Sequence, residues 1–155
     1  PQDPELEGAS VVIWTTTPWT LPSNRAVAFG GLGYSVYTAP SDGERYKQGD
    51  RFIFAEDRET DLFAKLGVAS WDDWKAKPVS SITLSKIVCA HPLHNKGYDF
   101  DVPLLPGSFV TGDTGTGFVH IAPSHGADDF ALGKTHGLEI TDNVTDDGKF
   151  RDHVP

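Results

Sequence analysis

Apolar and polar residues alternate over several short stretches of this chain, and only two longer stretches carry a helical spacing. Residues 9–14 (ASVVIW) form a continuous apolar run and read as a buried strand. Pro18 and Pro22 then interrupt regular structure. Ala26–Phe29 resumes an extended run, and Gly30 and Gly31 turn it. Tyr34–Thr38 and Arg51–Ala55 read as further strands, with a Ser41, Asp42, Gly43 turn between them. Residues 57–66 place Leu62, Phe63 and Leu66 on one helical face, and Gly67 is the stop. One more helical turn is expected near 71–75. Residues 82–88 and 98–102 alternate as strands, and Phe118–Ile121 enters from a glycine turn. Residues 124–137 read as a second helix, with Ser124 as N-cap, Asp128 and Asp129 near the first turn, and Gly137 at the end. Asp146, Asp147 and Gly148 mark a late hairpin turn. The expectation is an α+β domain, a barrel-like β core of short strands flanked by a few helices.

Composition narrows the class. A chain of 155 residues with 38% hydrophobic content suits one domain with its own core. It contains no methionine and opens on Pro1, so residues 1–155 read as a single domain excised from a larger protein. Residues 1–8 and 151–155 read as flexible ends. No apolar run approaches the ~20 residues that span a bilayer, so no membrane partner is expected. The single Cys89 excludes an internal disulfide and a thiolate zinc cluster. It reads as a small hydrophobe, in keeping with a cytoplasmic, reducing location, with an organellar parent left open. The formal net charge of −9 argues against a surface that grips many phosphates.

Two motifs carry the candidate chemistry. Thr15, Thr16 and Thr17 sit where a strand runs into Pro18. Threonine favours strands for steric reasons alone. Clustered hydroxyls and backbone N–H groups at a strand end also suit holding a ribose, orienting a water and stabilising an oxyanion. Thr20 and Asn24 follow across the turn, and Trp19 offers a stacking face for a base. In the second motif Gly112 and Gly117 bracket four residues, but Phe118 stands where a phosphate loop needs lysine. Gly115 and Gly117 do not extend to a dinucleotide fingerprint, because residue 120 is histidine. The glycines instead suit a tight turn and a close approach to substrate. His120 faces opposite to Val119 and Ile121 by strand alternation. With His125 and Asp129 it forms an imaginable metal triad, although the spacing fits no HExxH pattern. Asp128 and Asp129 also suit a helix N-terminus. Adjacent helical residues diverge by ~100°, so only one of the two faces a pocket.

Trp14 to Asn24 matches WTTTPWTLP-x-N, and Gly115 to Asp129 matches GTG-x-VH-x-AP-x-HG-x-x-D. In both motifs the chain resembles the editing domain of isoleucyl-tRNA synthetases. Valyl and leucyl relatives look like TTRP where this chain has Thr16, Thr17, Pro18 and Trp19. The match covers about a quarter of the chain. The middle resembles the family only in pieces such as the HPL at His91. The resemblance implies hydrolysis of the ester of misacylated valyl-tRNA(Ile) with exclusion of isoleucine, and a partner in the 3′-terminal adenosine of aminoacylated tRNA(Ile). It also implies that the remaining domains of a parent ligase are partners, and that editing needs no cofactor and no metal. Catalytic roles fall to Thr15, Thr16, Thr17 and Asp129. Substrate binding falls to Trp19, Thr20, Asn24, His120 and Asp129. Asp129 holds the α-ammonium, and His120 limits the size of the side-chain pocket. Two other readings stay open: a metal-dependent hydrolase at His120, His125 and Asp129, and a non-catalytic insertion that positions tRNA.

Overall fold

Strand alternation sorts the chain into layers in the computed structural model, which describes residues 3–141 and 143–155. The expected flexible lead-in lies partly, at residues 1 and 2, outside the described residues. The first sheet contains β1 (Ser10–Val11), β3 (Tyr34–Thr38), β4 (Arg51–Ala55) and β5 (Lys75–Val79), in the order β1-β4-β3-β5. The second contains β2 (Ala26–Phe29), β6 (Val88–Ala90), β7 (Asp101–Pro106) and β8 (Phe118–Ile121), in the order β6-β7-β2-β8. Both sheets are mixed: β1 runs parallel to β4 and β2 parallel to β7, while the other neighbours are antiparallel.

A period of two divides each strand between two apolar layers. Val27 and Phe29 of β2 join Tyr34, Val36, Ile53, Val102, Leu104 and Phe118 in a shared core between the sheets. Ala26, Ala28 and Ile121 face the other way and meet Leu132 of α3 (Ala127–His136). Tyr37 and Phe54 stack on each other and pack against Leu62 and Phe63 of α1 (Glu59–Leu66). The result is an α+β fold with helices outside two sheets. It is not a closed barrel, because each sheet keeps two edge strands.

Both predicted helix stops are present, with Gly67 and Gly137 in the left-handed region. Several expected boundaries differ. The run 9–14 yields only the short edge strand β1, and Trp14 is 57% exposed. An edge position leaves the end of that run without a second neighbour to pair with. The expected strand 82–88 is instead α2 (Ser81–Leu84), followed by β6. Ser80 caps α2, its Oγ accepting from the Thr83 N–H at 3.1 Å. This leaves Ile82 in solvent and Leu84 buried. Ser124 is not the cap of the last helix; α3 starts at Ala127, with extended Gly126 at the N-cap. Near 71–75 there is a single turn from Trp71 to Trp74, after which Lys75 opens β5.

The glycine turn before β8 welds the sheets together. A Cβ on Gly117, which has φ +83°, would lie 2.3 Å from the Ala55 Cβ. At Gly117 the close approach is thus to β4. Thr116 beside it is fully buried, and its hydroxyl donates to the Val12 carbonyl at 2.6 Å. Its own carbonyl accepts from the Ala55 N–H at 2.9 Å. The strand that leads into the threonine motif is thus tied to the strand that leads out of the glycine motif.

Candidate functional site

The threonine motif folds as a turn. Thr17 N–H donates to Thr15 Oγ1 at 3.0 Å, and the two hydroxyls lie 3.3 Å apart. Thr16, Thr17 and Trp19 are exposed. Pro18 then opens a 3-10 turn over Pro18–Ser23, a position that needs no backbone N–H. This turn buries Thr20, Pro22 and Ser23 while leaving the Trp19 ring 54% exposed.

Thr20 and Asn24 converge on His120 of β8. Thr20 Oγ1 lies 2.9 Å from His120 Nε2, and Asn24 Nδ2 lies 2.5 Å from His120 Nδ1. The Thr20 hydroxyl donates its one hydrogen to the Thr17 carbonyl at 2.8 Å. It must therefore accept from the Nε2–H of His120. The Asn24 amide nitrogen also donates to the Ala26 carbonyl at 3.1 Å. That contact fixes the amide orientation and leaves Nδ1 as an acceptor. The opposite amide oxygen, Oδ1, is buried without a partner among the described residues, which costs on the order of 1–3 kcal/mol. His120 is 8% exposed. Burial, and then the neighbouring His91 and His125, push its pKa down to about 4. At neutral pH it is an uncharged ring with both nitrogens engaged.

Asp129, on α3, hangs from the backbone just past the end of the same strand. Its Oδ2 accepts from the Ala122 N–H at 2.9 Å, and burial raises its pKa. Asp128 is exposed, so α3 turns Asp129 and not Asp128 toward the protein. His125 is exposed as well, with Nε2 3.4 Å from Ser23 Oγ. The three residues of the metal reading do not point at a common centre. Among the described residues no group of three His, Cys, Asp or Glu side chains is placed to hold a metal ion.

Sequence reasoning missed the supports behind the turn. His91 is buried, and its Nε2–H donates to the Leu21 carbonyl at 2.8 Å while Nδ1 accepts from the Leu93 N–H at 3.0 Å. It stacks on Tyr98 at 4.8 Å. The HPL fragment was its only signal in the sequence. Ser23 accepts from the Asn143 amide at 2.8 Å, and nothing in the local pattern distinguishes that pair. A cavity of about 770 Å³ lies beside β1 and β6, lined by residues such as Val11, Ile13, Leu21, Ile87 and Cys89. Of the site residues named from sequence it reaches only Asn24. Burial raises the Cys89 thiol to about 11, so it is not an activated nucleophile.

No protein-family model matches the chain. The fold is similar to a solved structure described as the crystal structure of GlLeuRS-CP1. That likeness has a TM-score of 0.62 at 19% identity, over 88% of this chain and 53% of that one. It defines the class of fold, a CP1-type domain. In sequence the chain is similar to part of several isoleucine–tRNA ligases. It is 46% identical over 153 residues to the isoleucine–tRNA ligase of Gluconobacter oxydans and 45% identical over 166 residues to that of Bradyrhizobium diazoefficiens, covering 97% of the chain in each case. The enzyme of Caulobacter vibrioides is 46% identical over 157 residues. The chain spans 16% of the length of each of these relatives. No helix among the described residues is long and apolar enough to cross a membrane.

Proposed function

We propose that this chain is an editing module that hydrolyses the ester of valyl-tRNA(Ile) and excludes isoleucine. The observation that carries this reading is the meeting of the two motifs at β8, where the threonine turn, His120 and Asp129 adjoin one strand end. Water adds to the ester carbonyl, the bond to the ribose oxygen breaks, and valine leaves a free 3′-terminal adenosine. The hydroxyls of Thr15, Thr16 and Thr17 orient the water and ester and steady the developing oxyanion. The Asp129 carboxylate pairs with the α-ammonium by a charge-assisted hydrogen bond. The exposed Trp19 ring stacks on the terminal adenine. His120 acts as a wall, since a neutral ring with both nitrogens engaged is poorly suited to act as a base. No cofactor is required in this scheme.

The discrimination needs a second site for an energetic reason. Isoleucine exceeds valine by one methylene, worth ~0.8 kcal/mol on burial. Isoleucine-specific synthetases are themselves the standard illustration of that limit. A pocket that admits the smaller product and rejects the larger one multiplies the selection. The charge of −9 fits a module that handles only the tRNA terminus while other domains of a parent ligase grip phosphates.

Deacylation of valyl-tRNA(Ile) with and without a chelator tests the reading. Chelator-resistant hydrolysis supports it. Chelator-sensitive hydrolysis replaces it with the metal mechanism, and absence of hydrolysis in the full-length protein leaves a positioning role.

A further inference from the structure

We propose that Thr20 and Asn24 are positioning residues that hold the His120 ring in one tautomer and one orientation, and so set which aminoacyl side chain the site accepts. The functional half of this inference rests on the editing reading above; the structural half rests on hydrogen-bond geometry alone.

A histidine ring can rotate by 180° or move its proton with little change in shape, and either event exchanges polar and apolar edges. Here neither is free. The donors run in one direction, from the Asn24 amide to Nδ1, from Nε2–H to the Thr20 hydroxyl, and from that hydroxyl to the Thr17 carbonyl. Reversing the series would turn the Asn24 oxygen against the Ala26 carbonyl, which now accepts from the amide nitrogen. It would also take the hydroxyl bond from the Thr17 carbonyl, leaving that oxygen only the Thr20 backbone N–H at 3.0 Å. Rotating the ring would place C–H edges against both partners. A second proton on the ring would face the Asn24 N–H, with His91 and His125 as the neighbouring titratable groups.

Burial explains why these two residues act through the ring. Thr20 is 6% exposed and Asn24 is 1% exposed, and their donating groups are used inside the protein. Little of either is left for a nucleoside to touch. The coupling also has a reach. Thr17 belongs to the threonine turn, so the loop that meets the ester and the wall that meets the side chain share one hydrogen-bonded series. A wall of fixed position is what exclusion of one methylene demands, since a ring that swings away would admit isoleucine.

Two measurements test the proposal. The first is ¹⁵N NMR of the histidine rings in the 155-residue chain, with His120 assigned by its loss in His120→Gln. Wild type should show Nε2 protonated and Nδ1 bare. Thr20→Val keeps the shape and removes the hydroxyl, and should shift the His120 signals, while Thr20→Ser should restore them. The second is the ratio of valyl-tRNA(Ile) to isoleucyl-tRNA(Ile) deacylation in the full-length protein. Thr20→Val should lower that ratio about fivefold, the size of one net hydrogen bond, and Thr20→Ser should leave it close to wild type. An Nδ1–H tautomer, or His120 signals unmoved in Thr20→Val, overturns the lock whatever the rates. If Thr20→Val does not fold, Asn24→Asp replaces it; a carboxylate facing Nδ1 should draw a proton onto that nitrogen, and a ring unchanged by it overturns the lock. Moved signals with an unchanged ratio overturn the role in selection. If wild type hydrolyses neither ester, the editing reading fails, and the ring spectra still decide the lock.

Discussion

Thr116 and Val12 are 104 positions apart, yet the hydroxyl of one donates to the carbonyl of the other at 2.6 Å. That bond is partly buried and sits directly behind the place where the threonine motif begins. Thr116→Val keeps the side-chain shape and leaves the Val12 carbonyl unpaired. It should destabilise the fold by about 1–3 kcal/mol, read as a lower urea midpoint at unchanged slope. Editing should fall along with it, because the turn at 15–17 loses its anchor. An unchanged midpoint would mean that Val12 finds another donor.

Asp129 and Asp128 should separate cleanly in deacylation assays. If Asp129 pairs with the α-ammonium, Asp129→Ala should lose about 30-fold or more in rate, since breaking a desolvated charged hydrogen bond costs roughly 2–5 kcal/mol. Asp129→Asn keeps an acceptor for the Ala122 N–H and should be folded but still deficient. Asp128→Ala should stay near wild type. The reverse ordering would show that the wrong carboxylate has been assigned.

Removing the His120 ring should change selection more than rate. His120→Ala should still hydrolyse valyl-tRNA(Ile) and begin to hydrolyse isoleucyl-tRNA(Ile). Fitting an extra methylene into a filled site costs about 1–3 kcal/mol, and the smaller residue relieves it. Equal loss on both substrates would instead make His120 a structural or catalytic group.

The same ring should make the fold acid-sensitive. Its folded pKa of about 4 lies below the ordinary 6.5, so the unfolded chain binds more protons between those values. The stability it contributes is fully present above pH 6.5 and is lost as the pH falls toward 4, by about 3 kcal/mol at most at 1.36 kcal/mol per unit. His91, also lowered by burial, acts in the same sense, and Asp129, raised by burial, in the opposite one. Unfolding midpoints of wild type and His120→Gln across this range give the comparison. Parallel curves for the two proteins would refute the assignment to His120.

The three threonines should fail together. Thr16→Ala and Thr17→Ala should each slow hydrolysis, and replacing Thr15, Thr16 and Thr17 together should nearly abolish it. Hydroxyls that share one water compensate for one another, so single losses do not add. A triple variant at the wild-type rate would move the reactive surface elsewhere.

What could be read from the sequence was each motif separately. The strands β2, β3, β4 and β8 follow from short apolar or alternating runs bounded by turn residues, and α1 and α3 end at glycines whose left-handed backbone the sequence signals. β5 was invisible because KAKPV is an exposed strand at a sheet edge, where proline is tolerated and nothing apolar repeats. α2 was mistaken for a strand because a single turn shows no helical period, so only its Ser80 cap gave a clue. In the site, the turn and the histidine were legible by type. Their partners were not, because the Thr20 and Asn24 contacts to His120 span 100 and 96 positions, and no local pattern encodes them.

That separation also sets when the site comes into being. At ~5–20 residues per second, a ribosome needs about 5–20 s to travel from Thr20 to His120. During that interval Thr20 and Asn24 have no ring to bind, and the nascent threonine turn lacks its second wall. Asp129 arrives later still. On the proposed function, the chain is therefore expected to emerge without any ability to select between esters, and to acquire it only after β8 has closed against β2 and α3 has brought up Asp129. A polypeptide halted before residue 118 should hold most of the first sheet and no editing function.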